Sequence, residues 1–190
     1  MKVLNFYPVV TKRLKVSLFA GLCLAFPATQ AEVVHTNAHS FDIKITTEVN
    51  ASAEQAYAAF INVGQWWNPE HSYFGKSEYF SINPIAGGCF CEVNKNQQVQ
   101  HMQVVYVEPN KQIKLLGGLG PLQMMAANGA MSWKFSPNAE TTTITQTYSV
   151  TALNEDVVAM IAKAVNAVQT EQQNRLGRYI HEVSNKNVQK

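Results

Sequence analysis

"VVAMIAKAVNAVQTEQQNRLGRYIHEV", residues 157–183, is a long stretch with a single periodicity. Its apolar side chains return every three or four positions, which is the spacing of one face of an α-helix. They are Val157, Ile161, Ala164, Val165, Val168, Leu176, Tyr179, Ile180 and Val183. With Asn154 as its cap, a helix over residues 155–183 would be about 43 Å long, enough to lie across a whole sheet.

The region before this helix has mostly the pattern of strands. "FDIKITTEV", Phe41 to Val49, alternates apolar and polar residues, which predicts a half-buried strand. "NASAEQAYAAFINV", residues 50–63, then changes to helical spacing, with Ser52 and Gln55 forming a capping box. "QWWNPEHSYFG", residues 65–75, is a second short helix or a structured loop. From residue 76 to 150, six further strands are separated by turn signals: "SEYFSI", "CFCEV", "VQHMQVVYV", "QIKLLGG", "GAMSWKF" and "TTTITQTYSVTAL".

This order of elements predicts an α+β fold. A curved antiparallel sheet of about six to seven strands wraps around the long C-terminal helix, and two short helices follow the first strand. One helix cannot fill the mouth of a strongly curved sheet, so we expect a cavity between the sheet and the helix.

Five segments in this order resemble the START-like, or SRPBCC, helix-grip superfamily. They are "ASAEQAYAAF", "WWNPEHSYFGKS", "AGGCFCE", "GGLGPLQ" and "VNAVQTEQQNRLGRYI", within residues 39–183. The resemblance is greatest to the polyketide cyclase or Hsp90-ATPase-activator-like branch. It implies a deep, largely apolar cavity but no single activity, because such proteins bind lipids, steroids or polyketides, catalyse cyclisations or contact chaperones. The co-chaperone role belongs to the cytosol and depends on ATP. It therefore fits poorly with the export that the N-terminal sequence, described next, predicts.

The N-terminus has the pattern of a secretory signal peptide. Lys12, Arg13 and Lys15 precede the short apolar run "VSLFAGLCLAF", and "PATQA" offers a cleavage site after Ala31. The alternative is an N-terminal membrane anchor. We therefore expect a signal peptide over residues 1–31, a linker over 32–38, the START-like domain over 39–184 and a frayed tail over 185–190, with the protein periplasmic or secreted.

Removal of the signal segment changes the charge balance. It takes away four basic residues and no acidic ones, leaving 11 of the chain's 15 basic residues against 13 acidic ones. No basic cluster remains, so the sequence does not favour a nucleic-acid partner. No stable membrane anchor is expected after cleavage.

The stretch "CFCEVNKNQQVQH", residues 89–101, carries the reactive side chains of a predicted hairpin. A turn at "NKNQ" would place Glu92 directly across from His101, where the carboxylate would raise the histidine pKa. The pair is either an acid–base or anchoring pair at the cavity wall or a solvent-facing charge pair.

Cys89 and Cys91 would face the opposite side of the sheet from Glu92 and His101, so the four cannot hold one metal without a bulge. We interpret the cysteines as adjacent buried thiols that behave as small hydrophobic side chains. A redox pair or a disulfide in a distorted strand is the alternative, because an exported chain meets an oxidising compartment.

The expected function is binding of a small apolar or amphipathic molecule, such as a lipid-, sterol- or polyketide-like compound. One alternative is a cyclase- or dehydratase-type enzyme using Glu92 and His101 as catalytic residues, and another is a protein-interaction module. Neither Gly-x-Ser-x-Gly nor HExxH occurs, no cofactor is implied, and a metal would require His71 to approach Glu92 and His101. The expected ligand-binding residues are Trp66, Trp67, His71, Phe90, Leu116, Leu119, Met131 and Trp133.

Overall fold

The structure is a computed structural model that describes residues 29–188. Its strands are β1 (Thr29–Thr36), β2 (Phe41–Val49), β3 (Phe80–Ile82), β4 (Cys89–Asn94), β5 (Gln97–Glu108), β6 (Gln112–Leu116), β7 (Asn128–Asn138) and β8 (Thr141–Thr151). Its α-helices are α1 (Ala53–Ile61) and α2 (Val158–Val188), and short 3-10 turns lie at Val63–Gln65, Pro69–His71, Ser77–Tyr79, Gly120–Gln123 and Glu155–Val157.

All eight strands form one antiparallel sheet in the order β1-β2-β8-β7-β6-β5-β4-β3. A curved sheet with a long C-terminal helix agrees with the predicted helix-grip fold, but the strand count is eight rather than six to seven. The additional strand is β1, which pairs with β2. Most of its side chains are exposed, so its sequence lacks the alternation by which strands are recognised.

Two predicted boundaries differ from the structure. The segment expected to be a linker, residues 32–38, contains most of β1, and α2 continues to Val188 through part of the expected frayed tail. The predicted signal peptide lies largely outside the described residues, and β1 includes its last three positions. Within residues 29–188, no helix combines the length and the apolar character that crossing a bilayer requires.

Helix α2 packs against β1, β2 and α1. Its 31 residues correspond to about 46 Å of helix. Of the residues predicted for its apolar face, Leu176 and Ile180 are buried, whereas Ile161, Val165 and Val168 are only partly buried. Val158 and Ala162, which were not predicted, are buried as well. The middle of the buried face is polar, however, and consists of Gln169, Gln172 and Gln173.

Aromatic packing fills one end of the space between sheet and helices. The capping box of Ser52 and Gln55 is confirmed and begins α1, which carries Phe60 into the core. The Phe60 ring lies 4.9 Å from that of Trp133 and 6.1 Å from that of Trp66. This end is closely packed, so the open space lies beside the N-terminal half of α2.

Candidate functional site

A β-bulge places His101 on the inner face of the sheet. The hairpin turns at Lys95 and Asn96, with Glu92 opposite Val99 rather than opposite His101 as predicted. The register then shifts between Phe90 and Cys91, leaving His101 as the extra residue of β5. His101 and its neighbour Met102 are both buried, which a regular strand would not allow. The bulge brings His101 Nε2 within 3.3 Å of Glu92 Oε2, so the predicted pair meets through a different register.

The Glu92 carboxylate is fully buried and holds a neighbouring loop. Its oxygens accept hydrogen bonds from Ser72 Oγ at 2.5 Å, from Phe74 N at 2.8 Å and from Tyr73 N at 3.1 Å. A buried carboxylate requires such donors to replace its lost hydration. Glu92 is therefore a structural anchor for residues 72–74, behind the cavity wall.

His101 is held as a neutral ring. Burial lowers its pKa below the usual value, and this outweighs the Glu92 carboxylate, which acts in the opposite direction. The predicted raised pKa is therefore wrong, because desolvation dominates. A neutral ring satisfies the carboxylate by donating from Nε2, which leaves Nδ1 as an acceptor. Within residues 29–188, His101 Nδ1 is buried and has no hydrogen-bond partner.

Aromatic rings fix the His101 imidazole from two sides. The Phe80 ring lies 5.2 Å away and nearly parallel, at 17°, and the Phe90 ring lies 5.4 Å away. Tyr73, which is half-exposed, lies 5.9 Å away on the side of the loop. The imidazole is thus positioned by packing as well as by Glu92.

The loop "WWNPEHSYF", residues 66–74, is also attached to α2. Arg175 Nε donates to Trp66 O at 2.7 Å, and the buried Gln172 Oε1 accepts from Asn68 N at 2.9 Å. Gln172 and Arg175 thus hold this loop against α2.

His71 lies at the rim, away from the Glu92–His101 pair. Its Nε2 lies 3.4 Å from Glu171 Oε2, and Glu171 Oε1 also accepts from Asn68 Nδ2 at 2.5 Å. His71 therefore does not join Glu92 and His101 in a metal site. Across residues 29–188, no three His, Cys, Asp or Glu side chains gather in a metal-binding arrangement.

Tyr148 of β8 positions the opposite rim. Its hydroxyl donates to Gly117 O at 3.1 Å and accepts from Leu119 N at 3.2 Å, while burial raises its pKa to about 12. The ring passes over Gly129, where an added Cβ would lie only 2.5 Å from it. Gly129 therefore permits Tyr148 to reach and hold residues 117–119.

Between these rims lies an open cavity of about 430 Å³. Its walls come from three parts of the chain: Trp67, His71, Ser72, Tyr73 and His101; Leu119, Pro121, Leu122 and Met125; and Ile161, Ala164, Val165, Val168 and Gln169. Most of these side chains are apolar. The polar lining residues include Glu70, His71, Ser72, His101 and Gln169, and a mostly apolar lining with a few polar groups is typical of small-molecule sites.

Gln169 and Gln146 form a polar pair that the sequence analysis missed. Gln146 Nε2 donates to Gln169 Oε1 at 2.7 Å, and both side chains are buried. Gln146 follows Ile144 and precedes Tyr148 on the inward face of β8. The sequence did contain a signal for this pair, because Gln146 is a polar residue at an inward-facing position of the alternating strand β8.

The predicted ligand-binding residues separate into three groups. Trp67, His71 and Leu119 line the cavity, as does His101. The residues packed around a much smaller void in the adjoining core are Trp66, Phe90, Met131 and Trp133. Leu116 is half-exposed at the outer face of β6, so the structure does not place it at the cavity.

Cys89 and Cys91 are joined by a disulfide, with Cα atoms 5.4 Å apart. The preferred interpretation as two packed thiols is therefore wrong. It assumed a regular strand, in which residues two apart are about 6.6 Å apart. The register shift beside Phe90 breaks that regularity.

Known proteins resemble this chain in structure and not in sequence. No protein-family model matches the sequence, and no curated protein matches it either. A conserved protein of unknown function from Enterococcus faecalis has a TM-score of 0.56 at 13% identity, over 80% of this chain and 77% of that one. CalU16 from Micromonospora echinospora has a TM-score of 0.52 at 12% identity, over 81% of this chain and 82% of that one.

A third similar structure is the di-domain ARO/CYC protein StfQ from the steffimycin biosynthetic pathway. Its TM-score is 0.53 at 12% identity, over 78% of this chain and 53% of that one. At these identities the likeness concerns the fold, which is consistent with the SRPBCC-like architecture that the sequence motifs suggested.

Proposed function

We propose that this protein is exported and binds a small apolar or amphipathic molecule in the cavity beside α2. The single observation that carries the proposal is the cavity itself, about 430 Å³ with mostly apolar walls. Small-molecule pockets range from roughly 300 to 1,000 Å³ and combine apolar walls with a few placed polar groups. A lipid-, sterol- or polyketide-like compound has the matching chemistry.

The polar groups favour an amphipathic ligand over a pure hydrocarbon. His101 and Gln169 lie on the wall, and His101 Nδ1 has an unused lone pair among the described residues. A ligand hydroxyl that donates to this nitrogen would remove the cost of a buried acceptor without a partner. We therefore expect a ligand with at least one hydroxyl or phenol group at its buried end.

Binding can be tested with the fluorescent probe N-phenyl-1-naphthylamine. Val168→Trp fills the cavity from α2 and should weaken probe binding at least tenfold, about 1.4 kcal/mol. Leu116→Trp is the matched control, because Leu116 lies half-exposed on the outer face, and its affinity should equal that of the native chain. Leu119→Arg repeats the test from the opposite wall. Equal affinity in all four proteins would reject the cavity as the binding site.

A second candidate function is a cyclase- or dehydratase-type enzyme. His101 supports it, because the residue lines the cavity, Glu92 contacts its Nε2, and its buried Nδ1 has no partner among the described residues and could act as a base. In a dehydration, Nδ1 would take the proton next to a carbonyl, and the resulting imidazolium would give a proton back to the β-hydroxyl, which leaves as water and restores the neutral His101. The ARO/CYC description of StfQ is the reason to consider polyketide-like substrates.

The enzyme hypothesis is tested with an aromatic β-hydroxy ketone, following loss of water by absorbance. His101→Phe should abolish turnover while probe affinity changes less than about threefold, since the ring packing is retained. Turnover by the native protein that is unchanged in His101→Phe would contradict the assigned base. Absence of turnover on such ketones with intact probe binding would favour a binding protein.

Export is supported by the charged and apolar pattern of residues 1–31. Expression of the full chain in a bacterium with two membranes, followed by cell fractionation and intact-mass measurement, tests it. Recovery of a periplasmic species shortened at Ala31 is expected. Recovery of the full-length mass in the membrane fraction would instead establish the anchor alternative. Neither a nucleic-acid partner nor a stable membrane anchor is part of the proposal.

A further inference from the structure

The Cys89–Cys91 disulfide encloses only one residue, Phe90. Disulfides stabilise a fold mainly by restricting the unfolded chain, and the effect grows with the length of the closed loop. A loop of this size restricts almost nothing. Strand β4 is also paired on both sides, to β3 and to β5, without any help from the bond. The disulfide is therefore not needed as a structural staple.

The bond is accessible from the outer face of the sheet. Cys89 and Cys91 are half-buried, whereas Phe90 and Glu92 between and beyond them point inward and are fully buried. The partners of the cysteines across the strands include Ser81 and Gln103, which are exposed. An attacking sulfur can thus reach this bond without opening the core.

The electrostatic surroundings do not repel a thiolate. The residues in register with the two cysteines are Ser81, Gln100 and Gln103, none of which carries a charge. The nearest acidic residue along the strand, Glu92, lies on the opposite face and is screened by its own hydrogen bonds. Access and the absence of local negative charge are the conditions that favour thiol–disulfide exchange.

We propose that Cys89 and Cys91 form a reversible thiol–disulfide exchange site that accepts two electrons from a dithiol. A donor thiolate attacks one sulfur and forms a mixed disulfide, and the other cysteine leaves as a thiolate and takes a proton. The second donor thiol then attacks the mixed disulfide. The products are two cysteine thiols in this protein and one disulfide in the donor. The inference does not depend on a ligand in the cavity.

The test uses the full chain carrying Cys23→Ser, so that every thiol signal comes from Cys89 and Cys91. The protein is first treated with glutathione disulfide, then with dithiothreitol, and samples are trapped with N-ethylmaleimide for mass measurement. We expect no label before reduction and two labels after it. Reduction of the folded protein should proceed within about tenfold of the rate in urea, because access to sulfur governs the rate.

The same samples show whether the site is reversible. The reduced protein should keep the urea midpoint of the oxidised protein, and renewed glutathione disulfide should restore the unlabelled form. Cys89→Ser with Cys91→Ser is the matched control and should take no label at any stage. Resistance of the folded protein to dithiothreitol, unfolding on reduction, or failure to re-form the bond would each overturn the proposal.

Discussion

At the scale of single residues, Glu92 and His101 have different tasks despite their contact. Glu92 is saturated by three donors from residues 72–74 in addition to His101, so its carboxylate maintains a loop. His101 retains an unused nitrogen and contributes to the cavity wall. A substitution at Glu92 therefore disturbs the fold of the rim, whereas a substitution at His101 changes the chemistry offered to a ligand.

The lowered pKa of His101 predicts a pH dependence of stability. The unfolded chain binds this proton near its ordinary pKa of 6.5, and the folded chain binds it only at lower pH. The contribution of His101 is fully present above that value and is lost as the pH falls toward the folded pKa. Each unit of difference between the two pKa values corresponds to about 1.4 kcal/mol.

His101→Gln removes this titration and should give a flatter dependence of the free energy of unfolding between about pH 7 and pH 5. Urea unfolding of both proteins at several pH values measures this dependence. The four other histidines of the chain are present in both proteins, so the difference between the two curves isolates His101. Parallel curves would contradict the lowered pKa.

At the scale of elements, the docked loop 66–74 shapes the cavity. The Gln172 side chain accepts the Asn68 amide, and Arg175 binds the carbonyl of Trp66. These bonds come from one side of α2 and act on consecutive turns. They bring Trp67 and His71 to the cavity and leave Trp66 in the core.

Gln172→Leu tests this docking, because it leaves the Asn68 N–H without its acceptor. We expect a loss of about 1–3 kcal/mol in the free energy of unfolding. Hydrogen exchange at the Asn68 amide should also become faster while exchange in β7 and β8 does not. Arg178→Ala, at an exposed position of the same helix, is the control and should change neither quantity. Unchanged exchange at Asn68 in Gln172→Leu would show that the loop is held by other contacts.

Periodicity predicted the elements with one buried face and missed irregular ones. The alternation of β2 and the capping box of Ser52 depend on local spacing, and both occur as predicted. The bulge at His101 and the disulfide depend on which of several turns the hairpin adopts. That choice is made by packing against distant aromatic rings such as Phe80. The contact between Glu92 and His101 was thus predicted, but its register and its pKa direction were not.

At the scale of the whole molecule, β1 connects the proposed export of the protein to its fold. The strand covers the edge of β2 and also contacts α2, although most of its side chains are exposed. Its contribution is therefore mainly backbone pairing at a sheet edge. Cleavage after Ala31, as expected from the sequence, would keep the pairing from Glu32–Lys44 to Thr36–Phe41.

Three chains that begin at residues 29, 32 and 37 test this arrangement. The first two should both be monomeric at equal concentration, because each retains pairing along β2. The third exposes the edge of β2, whose unpaired N–H and C=O groups form a template for another chain. We expect it to unfold at lower urea and to associate with rising concentration, as measured by sedimentation velocity. A chain beginning at residue 37 that is as stable and as monomeric as the others would show that β1 is dispensable. Association of the chain beginning at residue 32 would instead show that residues 29–31, which pair with residues 45–47, are needed to cover the edge of β2.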